Sequence, residues 1–208
     1  MAEITHIADY LSRNAKLHSD TQAFICDERT LTWQELDTLT CAVSQQLLQL
    51  VPSKSQQVIG LLLPNSWQFL VAYLAILRAG HIALPLDPGY KTLEITAVVE
   101  QIPPVLSITN QALAFEFPQG ENLLLDSDFA TELPKALLQP VHLPATKQIA
   151  TLLFTSGTTG KPKATAYTHA NYIWNISEIS ELWQWTQKDT LLLSLPLSHW
   201  HGLAMGIT

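Results

Sequence analysis

The residues T-S-G-T-T-G-K-P-K, positions 155–163, follow directly on the apolar run I-A-T-L-L-F, positions 149–154. The apolar run is typical of a buried strand, and the residues after it are only Gly, Ser, Thr, Lys and Pro. Glycines permit positive φ and bring backbone N–H groups close to oxyanions, while hydroxyl and ammonium groups add donors and charge. We therefore predict a loop that wraps the phosphates of ATP, formed by Thr155, Ser156, Gly157, Thr158, Thr159, Gly160, Lys161 and Lys163.

Two other nucleotide-binding loops fit this stretch poorly. The Walker A pattern needs Gly where Thr155 stands and a helix starting at the lysine, whereas Lys161 is followed by Pro162. The dinucleotide fingerprint G-x-G-x-x-G is absent because Gly157 and Gly160 are the only glycines of the loop. Residues 164–168 are predicted to form a second short strand, so the arrangement is strand, loop, strand. A P-loop kinase and a Rossmann dehydrogenase are disfavoured.

The loop resembles the signature of the adenylate-forming superfamily, which includes acyl-CoA synthetases and non-ribosomal peptide adenylation domains. The match continues into T-H-A-N at 168–171, although Ala164 stands where the family usually has Gly. Three further segments agree: L-T-W-Q-E-L at 31–36, L-R-A-G at 77–80 with P-L-D-P at 85–88, and L-P-L-S-H-W-H-G at 195–202. The resemblance thus covers the chain from about Leu31 to its end.

The resemblance also implies roles for individual residues. In the family this loop closes over the β- and γ-phosphates, so Lys161 and Thr159 are expected to be catalytic, stabilising charge as pyrophosphate leaves. His199 and Trp200 match residues that line the acyl pocket, and are predicted to bind the substrate. His199 and His201 form an H-x-H pair, but no acidic or thiol residue lies nearby in sequence, so no protein metal site is predicted.

Composition limits the class of protein. The 208 residues are 47% hydrophobic and 14% charged, as in an ordinary globular protein, and the net charge is −7. The negative charge argues against nucleic acid and anionic membranes as partners. The N-terminus shows no secretion signal, and no apolar run approaches the roughly 20 residues of a membrane span. We expect a cytoplasmic protein without membrane insertion.

Strand and helix patterns alternate along the chain, which predicts an α/β fold with a layered parallel sheet of βαβ units. An amphipathic helix near 4–16 and a hairpin precede the alternating part. The predicted strands are 58–63, 82–86, 105–108, 149–154 and 190–194, and the predicted helices are 33–50, 66–79, 92–101 and 171–183, with Asn65 and Asn171 as helix caps.

The fold implied is the acyl-CoA synthetase-like N-terminal domain, truncated. We divide the chain into a first α/β subdomain, 1–148, and the start of a second, 149–208, which carries the phosphate loop and is incomplete. Residues of about 110–148 are a connecting region with one edge strand. The chain stops within an apolar run, so we expect an N-terminal fragment of a longer synthetase, inactive by itself.

Three functions remain open. The first is the N-terminal part of an AMP-forming acyl-CoA ligase that uses ATP, Mg²⁺ and CoA to convert a small carboxylic acid to its thioester. The second is an amino-acid or aryl-acid adenylation domain that loads the phosphopantetheine arm of an acyl or peptidyl carrier protein. The third is a truncated, non-catalytic binding protein. The string H-W-H-G-L, 199–203, resembles synthetases for short or dicarboxylic acyl groups more than those for long fatty acids.

Overall fold

The computed structural model describes residues 4–27, 29–52, 55–114, 121–125, 147–155 and 162–207. None of the helices in this part of the chain combines the length and apolar character that crossing a bilayer requires. In chain order the elements are α1 (Ile7–Leu17), β1 (Gln22–Cys26), β2 (Arg29–Thr32), α2 (Trp33–Leu50), β3 (Val58–Leu61), α3 (Trp67–Arg78), β4 (Ile82–Pro85), α4 (Thr92–Gln101), β5 (Leu106–Thr109), β6 (Glu121–Leu124), β7 (Ile149–Thr155), β8 (Lys163–Thr168), α5 (His169–Leu182) and α6 (Trp200–Ile207).

The main sheet confirms the predicted layered α/β fold. Its six strands lie in the order β6-β5-β3-β4-β7-β8. The first five are mutually parallel, and β8 runs antiparallel to β7 at the edge. The predicted edge strand of the connecting region is β6, and the predicted strand after the loop is β8. Strands β1 and β2 form a separate antiparallel hairpin, as expected, with Asp27 at its turn (φ 53°).

Helices cover both faces of the sheet because successive residues of a strand point to opposite sides. Ile59, Leu61 and Leu63 belong to the larger core cluster, which the sheet shares with α1, α2 and α3. Leu62, one residue out of phase, belongs to the smaller cluster with residues of α4. Helices α3 and α4 therefore lie on opposite faces, as doubly wound sheets require when successive crossovers run in opposite directions.

Local sequence explains most helix ends. Thr32 and Glu35 form the predicted capping box of α2, with Glu35 N–H donating to Thr32 Oγ1 at 3.2 Å and Thr32 N–H to Glu35 Oε2 at 2.8 Å. Gly80 follows Ala79, the C-cap residue of α3, and its φ of 78° is the left-handed conformation expected of a C′ glycine.

Two predicted caps are wrong by one to three residues. Helix α3 is capped by Ser66, whose hydroxyl accepts from Phe69 N–H at 3.2 Å, and the amide of Asn65 is used elsewhere. Helix α5 begins at His169 and its N-cap is Thr168. Asn171 lies at the third helical position and accepts from Thr168 N–H at 2.8 Å, because it is the second member of a capping box.

The predicted strand 190–194 is also wrong. These residues belong to neither sheet of the described structure, although the run T-L-L-L-S has a strand-like composition. Leu191 and Leu192 are largely exposed, Leu192 at 92%. Composition favoured a strand, but strand formation needs a hydrogen-bonded neighbour, and none of the described strands pairs with this segment.

The sheet continues across the predicted subdomain boundary at residue 148. Strand β7 pairs with β4 in parallel, with Ala83 opposite Thr151. Ala150, Leu153 and Tyr172 belong to the same core cluster as α1, α2 and α3. The division into two subdomains stays a prediction, and the sheet and the core are shared between its two parts.

Candidate functional site

The carboxyl ends of β3 and β4 define a crevice. These strands are neighbours, yet the connection from β3 leads to α3 on one face of the sheet and that from β4 leads to α4 on the other. In open α/β sheets the space between two such diverging connections is the usual place for a ligand. Asn65 follows β3 and Asp87 follows β4, so both lie at this point.

The strands that bound the predicted phosphate loop meet at the same edge of the sheet. Thr155, the last residue of β7, is paired with Lys163, the first residue of β8. The hydroxyl of Thr155 donates to the backbone carbonyl of Lys163 at 3.4 Å, and both side chains are exposed. The predicted residues Ser156, Gly157, Thr158, Thr159, Gly160 and Lys161 lie outside the described residues, so their roles stay predictions.

Two buried tyrosines anchor β7 in the core. Thr151 Oγ1 lies 2.8 Å from the hydroxyl of Tyr73 in α3 and accepts from the hydroxyl of Tyr172 in α5 at 3.0 Å. Burial raises the pKa of Tyr172 to about 12 and that of Tyr73 well above its usual value, so both remain neutral phenols. The strand leading to the loop is therefore fixed from both neighbouring helices.

Asn65 holds the segment 195–197 at the mouth of the crevice. Its Nδ2 donates to the carbonyl of Leu195 at 2.8 Å, and its Oδ1 accepts from Leu197 N–H at 2.8 Å. One side chain thus satisfies a carbonyl and an amide that have no strand partner in the described sheet. Sequence reasoning assigned this amide to a helix cap and missed its contact with a segment 130 residues away.

Gly202 makes a close backbone contact with the same segment, at the carbonyl of Pro196. A Cβ on Gly202, in the first turn of α6, would lie 2.1 Å from the carbonyl oxygen of Pro196 and 2.7 Å from its carbonyl carbon. No side chain fits there, which gives a steric reason for the glycine in the motif 195–202. Leu203 N–H donates to the carbonyl of His199 at 2.9 Å and completes the first turn.

His199 reaches the turn after β4. Its Nε2 donates to Oδ2 of Asp87 at 3.2 Å, and its side chain is 48% exposed. The other oxygen of Asp87, Oδ1, accepts from Gly89 N–H at 2.8 Å. The structure therefore joins a predicted substrate-binding residue to a carboxylate that sequence reasoning did not select, and the P-L-D-P turn at the end of a predicted strand was the available signal.

The ring of Trp200 packs against the hairpin formed by β7 and β8. Its ring stacks on Tyr167 of β8 with centroids 4.0 Å apart and planes at 11°, and it touches Tyr172 at 5.0 Å. This contact secures α6 against β8. A substrate-binding role for Trp200 stays a prediction, since the described contacts of its ring are aromatic and internal.

The described site holds one acidic and one imidazole group beside the hairpin. Within the described ranges, no three His, Cys, Asp or Glu side chains gather where they could hold a metal ion. The arrangement offers a carboxylate and an imidazole beside the crevice, with the Thr155 hydroxyl and Lys163 ammonium at the end of the hairpin.

Comparison with known proteins identifies related chains. A family model described as "AMP-binding enzyme" matches residues 11–208. The mitochondrial malonate–CoA ligase of Xenopus laevis is 28% identical over 96% of this chain, and phosphinothricin tripeptide synthetase of Streptomyces viridochromogenes is 32% identical over 76% of it. The alignments cover 37% and 15% of those two proteins, so the chain spans well under half of their length.

Solved structures share the fold. The O-succinylbenzoate coenzyme A synthetase from Bacillus subtilis, in complex with AMP, superimposes with a TM-score of 0.81 at 25% identity. The superposition covers 95% of this chain and 51% of that one.

Proposed function

This chain belongs to the AMP-binding enzyme family, and on that premise we propose that its protein activates a carboxylic acid with ATP and transfers it to a thiol. The observation that carries the proposal is the β7–β8 hairpin, which brings Thr155 and Lys163 to the carboxyl edge of the sheet. Asp87, which contacts His199, follows the neighbouring strand β4 at the same edge.

The proposed chemistry has two steps. A carboxylate oxygen of the acid attacks the α-phosphorus of ATP, the bond to the bridging oxygen breaks, and pyrophosphate leaves with the electron pair. The thiolate of the second substrate then attacks the acyl carbon of the acyl-AMP and AMP leaves, yielding a thioester. Neither step needs a covalent bond to the protein, so its contribution is orientation and charge stabilisation.

The residues of the loop divide this work. Lys161 and Thr159 are proposed to stabilise the charge that develops on pyrophosphate as it leaves. Thr155, Lys163 and the rest of the loop are proposed to cradle the phosphates. The support is the geometry of the loop's ends, because β7 is anchored in the core by Tyr73 and Tyr172 and delivers Thr155 to the carboxyl edge.

His199 and Trp200 are proposed to lie at the acyl pocket. We place a short dicarboxylic acid first among candidate substrates, because the string 199–203 resembles synthetases for such acids and one relative is named a malonate–CoA ligase. CoA is the proposed thiol. A carrier-bound phosphopantetheine is the second candidate, supported by the similarity to a peptide synthetase.

Mg²⁺ is proposed to enter with ATP, bound to its phosphates. A cytoplasmic location stays a prediction, and one relative is named as mitochondrial.

Pyrophosphate release tests the proposal. The full-length protein is incubated with ATP and Mg²⁺, with and without CoA, across malonate, oxalate, acetate, fatty acids, aryl acids and amino acids. We expect release that depends on one acid and increases with CoA. The double variant K161A/T159A should lower the rate at least about 100-fold, the usual cost of removing groups that stabilise developing charge. Lys188→Ala, at an exposed lysine in a turn, is the matched control and should leave the rate unchanged.

Three results would contradict the proposal or part of it. An unaltered rate in K161A/T159A would overturn the role of the loop. If the protein binds ATP but releases no pyrophosphate with any acid of the panel, the non-catalytic alternative is favoured. Release that ignores CoA but requires a purified carrier protein would replace the CoA ligase by the adenylation domain.

A further inference from the structure

We infer that Asp87 is a positioning residue for His199: it fixes the imidazole as the Nε2–H tautomer and leaves Nδ1 as the hydrogen-bond acceptor for the thiol of the second substrate, which can donate its S–H. The inference rests on the proposed function for the identity of what enters the pocket. It adds to that function Asp87, a residue outside the predicted site, and it states which imidazole nitrogen donates and which accepts.

The tautomer follows from the chemistry of the contact. His199 Nε2 lies 3.2 Å from Oδ2 of Asp87. An ionised carboxylate only accepts hydrogen bonds, so the ring nitrogen that faces it must carry the proton. A neutral imidazole has one donor and one acceptor, and Nδ1 is therefore the acceptor. Within the described residues Nδ1 has no hydrogen-bond partner, and the side chain is about half exposed.

Asp87 is itself held in place by the turn it begins. Oδ1 accepts from Gly89 N–H at 2.8 Å, and the backbone carbonyl of Asp87 accepts from Tyr90 N–H at 3.0 Å. A Cβ on residue 89 would lie 3.1 Å from Oδ1, so the glycine lets the turn close tightly around the carboxylate. The two oxygens thus have separate roles, one within the turn and one toward His199.

The backbone of His199 is fixed independently of its ring. Its N–H donates to the carbonyl of Pro196 at 3.3 Å, and its carbonyl accepts from Leu203 N–H at 2.9 Å. These bonds set the position of the Cα and leave the ring free to rotate about the side-chain bonds. In the described structure the contact with Asp87 is the hydrogen bond that fixes this rotation.

The contact between Asp87 and His199 orients the imidazole and adds little to the stability of the fold. Its partners are 112 residues apart in sequence and come from the turn after β4 and the segment before α6. A pair this exposed contributes little to the stability of the fold. An imidazole at a site is ordinarily defined by the hydrogen bond of its other nitrogen, which sets the tautomer and the ring plane.

Asp87→Asn is the discriminating variant. The amide oxygen can still accept from Gly89 N–H, so the turn is kept, but the NH₂ group then faces His199 and donates. Nε2 must become the acceptor and the proton moves to Nδ1, which reverses the tautomer. Asp189→Asn is the matched control, because Asp189 also closes a turn through its carboxylate, accepting from Thr186 N–H at 2.7 Å.

The first measurement is the ¹⁵N spectrum of histidine-labelled full-length protein, with the His199 signals assigned by comparison with H199A. We expect a protonated Nε2 and an unprotonated Nδ1 in the wild type and in D189N, and the reverse in D87N. The same tautomer in wild type and D87N would overturn the inference, whether or not the protein shows activity.

The second measurement is steady-state pyrophosphate release. With CoA present, we expect D87N to raise the KM for CoA or lower kcat by about tenfold, while the KM for ATP changes by less than about twofold. D87N should add nothing to the loss in H199A, because a residue acting through His199 has no effect once the ring is gone. A rise in the KM for ATP equal to that for CoA, or additive losses in the double variant, would overturn the inference.

The two proposals fail in different ways. If H199A alone leaves pyrophosphate release unchanged, the proposed role of His199 at the acyl pocket is wrong. If H199A lowers the rate and D87N does not, the proposed function stands and the positioning role of Asp87 is wrong.

Discussion

Asn65 and Gly202 act on the same short segment, residues 195–202, by different physical means. Asn65 supplies hydrogen bonds to the backbone of Leu195 and Leu197, replacing the ladder partners that a strand would provide. Gly202 supplies space, because its missing side chain lets α6 approach the carbonyl of Pro196. Together they place His199 beside Asp87.

We predict that Gly202→Ala destabilises the fold and displaces the segment. The added Cβ would overlap backbone atoms of Pro196 that cannot rotate away. Overpacking of this kind costs about 1–3 kcal/mol, only partly offset by the better helix propensity of alanine. The free energy of unfolding in urea measures the loss.

Gly206→Ala is the control for this prediction. Its Cβ would lie 3.0 Å from Leu197 Cδ2 and 3.1 Å from Leu193 Cδ2, which are the ends of flexible side chains. We expect a change below about 0.5 kcal/mol. Equal effects of the two substitutions would show that the close approach of Gly202 to Pro196 does not matter to stability.

Among the secondary-structure elements, α1 and α5 meet at their N-termini through two histidines. The rings of His6 and His169 lie 3.8 Å apart, and Nδ1 of His169 accepts from the backbone N–H of Ile7 at 3.4 Å. Burial, and secondly the nearby His6, lowers the pKa of His169 to about 3. His169 is therefore neutral in the folded chain over most of the acid range.

We predict that acid weakens the chain through this contact. The folded state keeps His169 unprotonated down to about pH 3, whereas the unfolded chain takes up the proton near its usual pKa of 6.5. The contribution is complete above pH 6.5 and is lost progressively as the pH falls toward 3. By pH 5 the loss should be about 2 kcal/mol. Urea unfolding at pH 7.5, 6 and 5 measures it.

Two variants isolate the group responsible. His169→Phe should flatten the dependence between pH 6.5 and 5, while His201→Ala, at an exposed position of α6, should leave it unchanged. A wild-type curve that stays level over this range would show that His169 titrates normally in the folded chain.

The success of sequence reasoning differed between elements for a physical reason. A helix end depends on residues within about four positions. The local sequence was therefore enough to predict the capping box of Thr32 and Glu35 and the C′ glycine at position 80. The strand 190–194 was predicted from composition alone, and its existence depended on a partner that sequence does not specify. The same limit explains the site: the contact of His199 with Asp87 joins distant residues and needed the order of the strands.

For the molecule as a whole, the order of the strands decides how the chain folds as a unit. Strand β7 lies against β4, so the part of the chain after residue 148 adds strands to the sheet begun before it. Ala150 and Leu153 also enter the core cluster built by α1, α2 and α3. The two predicted subdomains share one hydrophobic core.

We predict that residues 1–148 alone do not fold to a stable monomer. Without β7, strand β4 becomes an unpaired edge whose four residues are buried in the longer chain. Urea unfolding followed by tryptophan fluorescence should lack a cooperative transition, and size-exclusion chromatography should show aggregates. The chain of 208 residues is the control. A cooperative, monomeric 1–148 of similar stability would support two independent subdomains.

Strand β8 runs antiparallel to β7, so the two ends of β8 lie at opposite ends of the sheet's strands. It starts at Lys163 beside Thr155 and finishes at Thr168 beside Ile149. Helix α5 begins at the next residue, His169, whose ring contacts that of His6. Six strand residues span about 20 Å. A tether or fluorescent label attached near residue 4 therefore sits at the opposite end of β7 and β8 from Thr155 and Lys163. Attachment there suits immobilisation on a sensor surface, because it directs the end with Thr155 and Lys163 away from the surface.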